Sequence, residues 1–297
     1  NIGLLNSYFE SVSGFTTTGL TLIPNIETVP KSLILFRGLT QWLGGLSIVY
    51  LMILFVSEPG EVSRMLGEMS SFDRQRSSVR GTFVEVFKIY VIYTIVFIIL
   101  MSISLGPNKI FEAVNLVFTG ISTSGFIPVN NFESVLNPAS SIIMVVMMLT
   151  GATSFSIHSK IFRRKIRSTF MEFRIYLPLL LISGVILYLV LLSSGTNDVY
   201  LVIFHTISAS TTTGFAFAKI GEFTNSAKLL IMFLMFIGGM SFSTAGGIKI
   251  IRLIVALKTV GWTIKRTSLP PEVVLPLRIG GRTLVDRDLI LVFVLFF

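Results

Sequence analysis

The sequence predicts an all-α integral membrane protein that is built from a repeated unit. Of its 297 residues, 52% are hydrophobic and only 13% are charged, and the mean hydropathy is +0.82. Soluble domains carry about 25% charged residues, so the apolar runs of this chain are expected to lie in a bilayer. The second observation is a repeat, because three hydroxyl residues followed by glycine occur at 16–19, 122–125 and 211–214. Polar loops that recur in an apolar chain indicate one supersecondary unit used several times around an axis, as in an ion pore.

Six apolar runs are candidate membrane spans, since a helix needs about 20 apolar residues to cross the hydrocarbon core. They are 31–56, 82–104, 138–156, 173–193, 226–243 and 288–297. The last run stops at Phe297, and the chain starts at Asn1 without the charged segment of a signal peptide. Both ends are therefore expected to be cut, and the chain is expected to be a piece of a longer protein.

The net charge of +9 is informative through its placement. Of the 24 Lys and Arg residues, five lie in 58–88, six in 158–174 and eight in 249–288. The positive-inside rule assigns these three segments to the cytoplasmic side, so the basic charge reflects topology and a nucleic-acid partner is disfavoured. The chain has no cysteine, which excludes disulfides and thiolate metal sites.

Between the cytoplasmic segments lie apolar stretches that are too short to span the membrane. The stretches 110–122 and 199–210 have apolar residues at helical spacing and end in the hydroxyl–glycine loop, and 4–15 is the same element in the first copy. Each predicts a half-helix that enters the membrane part-way, followed by a loop that returns. Such a loop must be buried in protein or line a water-filled path.

The repeating unit is therefore an outer helix (M1), a re-entrant half-helix with its loop (P) and an inner helix (M2). The predicted divisions are a partial first unit at 1–57, a cytoplasmic linker at 58–81, a second unit at 82–172, a third unit at 173–266, a second cytoplasmic linker at 267–287 and the start of a fourth unit at 288–297. The units share one orientation, which favours a central ion pore over the inverted repeats of secondary transporters.

The hydroxyl–glycine loops are predicted to be ion-selectivity filters. A dehydrated alkali cation needs several oxygens at once, and glycine permits the positive φ angles that let consecutive carbonyls face one way. The half-helices would also direct their partly negative C-terminal ends towards the centre. The alternative is a turn with a helix cap. The predicted filter residues are Thr17, Thr18, Gly19, Thr123, Ser124, Gly125, Thr212, Thr213 and Gly214.

The third inner helix is predicted to unwind at 238–247, because glycines and hydroxyl residues interrupt its apolar run. The predicted gate residues are Gly238, Gly239, Ser241, Ser243, Thr244, Ala245, Gly246, Gly247 and Lys249. Close helix packing by small residues is the alternative, and a nucleotide-binding loop is disfavoured because the GK[ST] ending is missing. Lys249 could pair with an acidic residue or bar the path, or it could extend to the interface as many lysines do.

The remaining polar residues do not suggest an enzyme. His205 and His158 lack partners at metal-ligand spacing, and His205 is interpreted as packed behind the filter. The acidic residues Glu10, Glu112 and Glu133 are scattered, and no nucleophile–base arrangement or paired intramembrane carboxylates emerge.

Several motifs resemble the Trk/Ktr/HKT superfamily of potassium transport proteins, and most closely its bacterial and archaeal TrkH-type subunits. They are SVSGFTTTGL (11–20), GISTSGF (120–126), SASTTTGF (208–215), GGMSFSTAGGIK (238–249) and LRIGGRTLVDRDL (277–289). The resemblance implies four M1-P-M2 units, one filter glycine from each, and potassium as the transported ion with no organic cofactor on this chain. It also implies a multi-pass protein of the plasma membrane, the cell inner membrane, that forms a homodimer in contact with lipid.

The resemblance further implies a cytoplasmic regulatory ring of nucleotide-binding subunits of the TrkA/KtrA type, for which 158–174 and 249–288 are docking candidates. The fourth filter loop and an inner-helix arginine expected at the gate would lie beyond Phe297. A sodium-coupled or sodium-conducting transporter of the same superfamily remains an alternative, as does a non-transporting membrane scaffold.

Overall fold

The computed structural model describes residues 3–57, 79–163 and 171–270, together with Leu275, 277–279 and 282–284. Most of the predicted linker 58–81 and the predicted span 288–297 lie outside the described residues. The helices are α1 Leu4–Phe15, α2 Lys31–Ser57, α3 Val79–Leu105, α4 Ile110–Ile121, α5 Pro138–Ala152, α6 Phe155–Phe162, α7 Met171–Leu192, α8 Val199–Ser210, α9 Asn225–Ile237 and α10 Ile250–Thr267. Short 3-10 turns occupy Ile26–Thr28, Pro107–Lys109 and Ile220–Glu222.

The all-α prediction is confirmed for the body of the protein. One small addition is a hairpin of two three-residue antiparallel strands, β1 Leu277–Ile279 and β2 Arg282–Leu284, in the segment predicted as a linker. Its strand β1 packs beside α10.

Among the described residues, three helices are long and apolar enough to cross a membrane. They are Lys31–Leu54 within α2, Arg80–Leu105 within α3 and Glu172–Leu192 within α7, which agree with the predicted spans 31–56, 82–104 and 173–193 to within a few residues. The bent pair α5 and α6 counts as a fourth span by length and composition.

Two of the predicted apolar runs are not single helices over their whole length. The run 138–156 ends as a helix at Ala152, and α6 leaves it at an angle of 100°. The run 226–243 ends at Ile237, because Gly238 has φ 72° and turns the chain out of the helix. The interruption at Gly238 agrees with the predicted unwinding at 238–247, whereas the predicted span 138–156 is a single helix only as far as Ala152.

The helices pack as the repeated unit requires. In the second copy α3 contacts both α4 and α5, in the third α7 contacts both α8 and α9, and in the first α1 lies on α2. The contacts between neighbouring copies are equivalent, because the inner helix α2 packs on the half-helix α4 and the inner helix α5 packs on the half-helix α8. The first two inner helices thus each support the half-helix of the following copy. The exact unit boundaries stay a prediction.

Side-chain caps fix where α5 and α8 begin. Asn137 and Ser140 form a capping box, in which each side chain accepts a hydrogen bond of 2.8 Å from the other residue's backbone N–H. Asp198 accepts a hydrogen bond of 3.1 Å from the N–H of Leu201. These bonds satisfy N–H groups that a helix start leaves unpaired.

Candidate ion-conduction site

The three hydroxyl–glycine loops share one backbone conformation. The second hydroxyl residue of each loop is left-handed, with φ 55° at Thr17, 51° at Thr123 and 55° at Thr212. The glycine two positions later also has positive φ, at 75° for Gly19, 82° for Gly125 and 83° for Gly214. Positive φ is rare for a β-branched residue, so three such threonines at equivalent positions indicate a conformation that the surrounding structure imposes.

Each half-helix ends in the same hydrogen-bonded turn. In the second copy Thr123 donates its N–H to Gly120 O at 3.1 Å, and Ser124 donates to Thr119 O at 2.9 Å. The matching bonds of the other copies run from Thr17 to Gly14, from Thr18 to Ser13, from Thr212 to Ala209 and from Thr213 to Ser208. This pair of bonds is the Schellman motif, in which a left-handed residue follows the helix.

The loop hydroxyls are largely occupied within their own loops. The first and third hydroxyls approach each other, at 2.6 Å for Ser122 and Ser124 and 2.7 Å for Thr211 and Thr213. The central threonine donates to the preceding carbonyl, at 2.8 Å from Thr123 to Ser122. The loop hydroxyls therefore have protein partners, unlike most of the backbone carbonyls of the same loops.

Eight of the nine predicted filter carbonyls accept no hydrogen bond from the described residues. The exception is Ser124, whose carbonyl accepts a bond of 3.1 Å from Gln41 Nε2. Thr18 and Gly214 are exposed, whereas Thr123 and Thr213 are buried, and a buried carbonyl without a partner is costly. A cation is a suitable partner for such a set of oxygens.

The glycines also let the loops approach one another closely. A Cβ on Gly19 would overlap the carbonyl oxygen of Ser124 and lie 3.1 Å from its carbonyl carbon. A Cβ on Gly125 would overlap the carbonyl oxygen of Thr213 and lie 3.3 Å from its carbonyl carbon. The first loop therefore touches the second and the second touches the third, so the three backbones lie side by side in chain order.

The segment 238–249 contacts the ends of these loops. Thr244 Oγ1 lies 3.0 Å from the carbonyl oxygen of Ile121 and 3.3 Å from Thr123 Oγ1. Gly246 donates its N–H to Thr212 Oγ1 at 2.6 Å. The predicted gate thus lies against the second and third predicted filter loops. We call the segment 238–247 the intramembrane loop.

The intramembrane loop is hydrogen-bonded to the break between α5 and α6. Met240 donates to Ala152 O at 3.0 Å, and Thr244 donates to Gly151 O at 3.1 Å. Phe155, the first residue of α6, donates to Phe242 O at 2.9 Å. The two interrupted inner helices therefore satisfy each other's free backbone groups, which every helix end leaves behind.

Gly238 and Gly247 lie in contact at the two ends of the intramembrane loop, and we call this contact the neck of the loop. Gly238 and Gly247 both have positive φ, at 72° and 76°, and a Cβ on Gly247 would lie 2.6 Å from the Cα of Gly238. Beyond the neck, Ile248 donates to Phe236 O and Lys249 donates to Ile237 O, each at 3.0 Å. The last carbonyls of α9 are thus satisfied by residues that follow the loop, and these bonds hold the two ends of the loop together.

A buried lysine and a buried glutamate hold the intramembrane loop from two sides. Lys249 is 6% exposed, and its Nζ donates to the carbonyl of Ala245, with Ser243 O at 3.5 Å. Burial excludes a side chain that extends to the interface, and no carboxylate lies within ion-pair distance of Lys249 in the described residues. Glu172 at the start of α7 accepts a hydrogen bond of 2.8 Å from Ser241 N. The interpretation of Lys249 as a bar to the path stays a prediction.

Sequence reasoning assigned no site role to four side chains of α1, α2 and α7 that contact these loops or the residues directly after them: Glu10, Arg37, Gln41 and Glu172. Glu10 and Arg37 form a buried ion pair at 2.9 Å, and the Arg37 guanidinium lies 4.0 Å above the ring of Phe126 in the second filter loop. A signal was present, because charged residues inside apolar membrane segments commonly mark functional positions.

Both histidines pack against aromatic side chains and lie within hydrogen-bond distance of protein groups. His205 Nδ1 lies 2.8 Å from Leu201 O, and the ring contacts Phe217 and Phe223, so it is packed as expected. His158 lies 3.0 Å from the Tyr93 hydroxyl. No group of three or more His, Cys, Asp or Glu residues that could hold a metal ion occurs in the part of the chain that the structure describes.

Half-helices that end inside an apolar bundle, with their loops gathered side by side, define a membrane protein of the ion-transport class. A family model described as "TrkH: Cation transport protein" matches residues 1–297, and the chain belongs to this family. The match confirms the predicted resemblance, the membrane fold and the multi-pass location, and it favours a transport protein over an enzyme.

Named relatives agree with this assignment. The chain is 34% identical over 297 residues to an uncharacterized cation transporter of Methanocaldococcus jannaschii, covering 99% of this chain and 60% of the relative. It is 28% identical to the Trk system potassium uptake protein TrkH of Salmonella typhimurium, covering 97% and 62%. The crystal structure of the potassium transporter TrkH from Vibrio parahaemolyticus superposes with a TM-score of 0.85 at 25% identity, covering 100% of this chain and 63% of that one. The chain thus spans about three fifths of the length of these relatives.

Proposed function

We propose that the protein takes up potassium ions across the plasma membrane through a pore lined by its filter loops. The observation that carries this proposal is the threefold recurrence of one left-handed loop conformation, with eight of nine carbonyls free of protein donors in the described residues. The names of the relatives, potassium uptake protein and potassium transporter, support potassium as the ion.

The carbonyls would replace the hydration shell of the permeating ion. Rings of backbone carbonyls favour a cation that they can surround at low cost. The half-helices α1, α4 and α8 end at these loops, and the partly negative C-terminal end of a helix attracts a cation. The predicted filter residues therefore bind potassium only in passing, as a transported ion.

We further propose that the intramembrane loop gates this pore. Its contacts with Ile121 and Thr212 support the proposal, because a segment held against the filter loops by a few hydrogen bonds can block or release a path beneath them. The closed neck at Gly238 and Gly247 would let the loop move while α9 and α10 stay in place.

Regulation by a cytoplasmic nucleotide-binding ring is part of the same proposal, as are a homodimer and contact with membrane lipid. The relatives are named as members of a Trk system, which supports further components. The basic segments 158–174 and 249–288 offer docking surfaces, and in the first of these Arg163 is already ion-paired with Glu85 of α3.

The test is uptake of radioactive rubidium into liposomes that contain the full-length protein, with excess unlabelled potassium or sodium as competitor. Competition by potassium alone is the expected result. Equal competition by sodium would favour the sodium-conducting alternative of the same family. No uptake, together with tolerance of simultaneous replacement of Gly19, Gly125 and Gly214 in the cell, would favour the scaffold.

A further inference from the structure

Gln41 lies inside the membrane-spanning part of α2 and is fully buried, with 0% of its surface exposed. An amide at that depth costs several kcal/mol unless its donors and acceptor are paired, so its position requires an explanation. Its two hydrogen bonds both go to the second filter loop. Nε2 donates to Ser124 O at 3.1 Å, and Oε1 accepts from Phe126 N at 3.2 Å.

These two bonds enclose Gly125. The carbonyl before the glycine and the N–H after it are both held by one amide, so the two peptide planes that flank Gly125 are fixed together. Glycine at φ 82° tolerates alternative backbone angles at little cost. The clamp by Gln41 therefore restrains the residue of the loop that could most readily reorient its carbonyls.

We propose that Gln41 is a positioning residue that fixes the direction of the Ser124 carbonyl and thereby contributes to the selectivity for potassium over sodium. The inference rests on the proposed filter role of the loops and deepens it. Ser124 O lies at the junction with the first loop, against Gly19, so a change in its direction alters the space available to both loops. Sodium is the smaller ion, so carbonyls that are free to turn inward would bind it more favourably.

The clamp is not a general requirement of the repeated unit. Gly44 of α2 and Gly151 of α5 occupy equivalent positions, because each lies against the carbonyl oxygen of the last residue of a half-helix, Phe15 and Ile121 respectively. The sequences of the two inner helices can therefore be aligned on these glycines. Gln41 precedes Gly44 by three residues, and the residue at the same distance before Gly151 is Met148. The third loop thus reaches the same left-handed conformation without an amide behind it.

The difference between Gln41 and Met148 argues against a purely structural role of Gln41. If an amide were needed to fold such a loop, the second inner helix would carry one in place of the fully buried Met148. Methionine has no strong donor, and the carbonyl of Thr213 in the third loop accepts no hydrogen bond from the described residues. The junction between the first and second loops is therefore the one place where a buried side chain restrains a predicted filter carbonyl, within the described residues.

The experiment compares Gln41→Met with wild type in proteoliposomes that contain the full-length protein. Rubidium uptake is titrated with unlabelled potassium and with sodium, and the ratio of the two inhibition constants measures selectivity. The expected result is retained uptake with a ratio lowered by about fivefold, which is the effect of about one net hydrogen bond. Gln41→Leu provides a second variant that also removes both bonds, and it is expected to give the same loss.

Trp42→Phe is the matched control. Trp42 is the next residue on α2, and its Nε1 donates to Thr94 Oγ1 at 3.0 Å, away from the filter loops. This variant is expected to lose thermal stability in detergent while it keeps the wild-type ratio. An unchanged ratio in both Gln41 variants that take up rubidium would overturn the inference, and so would an equal loss in Trp42→Phe.

The outcome for the wild-type protein separates the inference from the proposed function. A wild type without potassium-selective uptake would overturn the filter proposal and the inference with it. A selective wild type with selective Gln41 variants would overturn only the inference. If Gln41→Met does not fold, which its melting temperature in detergent reveals, Gln41→Leu decides; if neither folds, the amide is a folding requirement and the inference is wrong.

Discussion

The hydroxyl of Thr212 accepts a 2.6 Å hydrogen bond from the N–H of Gly246. This bond joins the left-handed threonine of the third filter loop to the far end of the intramembrane loop. The other side of the intramembrane loop is held in a related way, because Thr244 Oγ1 lies 3.0 Å from Ile121 O at the end of α4. Any displacement of the intramembrane loop has to break such contacts, so the filter loops and the proposed gate are physically coupled.

Replacement of Thr212 by valine is expected to raise ion flux. Valine keeps the shape and β-branching that the left-handed backbone already accommodates. It removes the acceptor for Gly246 N and also the 2.7 Å hydrogen bond that the Thr212 hydroxyl donates to Thr211 O within its own loop. Loss of about 1 kcal/mol from the closed arrangement would increase the open fraction about fivefold. Initial rubidium uptake into proteoliposomes measures this change.

Thr206→Val is the control for Thr212→Val. It makes the same chemical change on α8, at a hydroxyl that has no partner among the described residues. Uptake should equal that of wild type. Similar uptake by Thr212→Val and wild type would contradict a role of this hydrogen bond in holding the intramembrane loop.

Shortening the intramembrane loop is expected to raise uptake more strongly. Deletion of 241–243 removes the contacts of Ser241 with Glu172 and of Phe242 with Phe155. The neck contacts of Gly238 with Gly247 remain, so α9 and α10 should stay connected as before. Uptake is measured at equal reconstituted protein, with deletion of the exposed turn 193–195 as the control of equal size. Unchanged uptake after deletion of 241–243 would contradict the gating role of the intramembrane loop.

The sequence predicted the half-helices and their loops because the decisive interactions there are local. The hydroxyl–glycine pattern of 122–125 specifies a helix end that satisfies its own backbone, through the bonds from Thr123 and Ser124 back into α4. The unwinding at Gly238 was also predictable, since glycine supplies the positive φ that the neck requires.

The 100° bend after Ala152 could not be predicted, although Gly151 lies next to it, because the partners that hold the bend are distant in the sequence. The chain turns at Thr153 and Ser154 since their neighbours bond to the intramembrane loop, which lies about ninety positions further along the sequence. The pairing of Gln41 with Ser124 likewise joins residues that only the packing of α2 against α4 brings together. Hydropathy patterns carry no information about such partners.

Gly125→Ser is expected to lower the selectivity for potassium over sodium. The new side chain would overlap the carbonyl of Thr213, and the residue would have to keep a φ of 82°, which costs about 1 kcal/mol or more for a residue with a Cβ. Both effects displace carbonyls of the second and third loops. The ratio of inhibition constants for potassium and sodium in rubidium uptake measures the result.

The control for Gly125→Ser is Gly195→Ser. Gly195 also has positive φ, at 87°, but it lies in an exposed turn after α7. Backbone strain alone should lower stability and leave the ratio unchanged. A wild-type ratio in Gly125→Ser would count against its role in the filter.

Removing one partner of the buried ion pair between Glu10 and Arg37 is expected to destabilise the protein more than replacing both partners. Glu10 also accepts bonds from Thr21 Oγ1 at 2.8 Å and from Leu22 N, so Arg37→Met would leave a buried carboxylate without its cation. Breaking such a pair costs about 3–5 kcal/mol, whereas replacing both partners by apolar residues is often nearly neutral. We therefore expect Arg37→Met to lower the melting temperature in detergent clearly, and Glu10→Met combined with Arg37→Met to recover much of the loss. A double variant that is less stable than Arg37→Met alone would mean that the charges themselves stabilise α1 against α2.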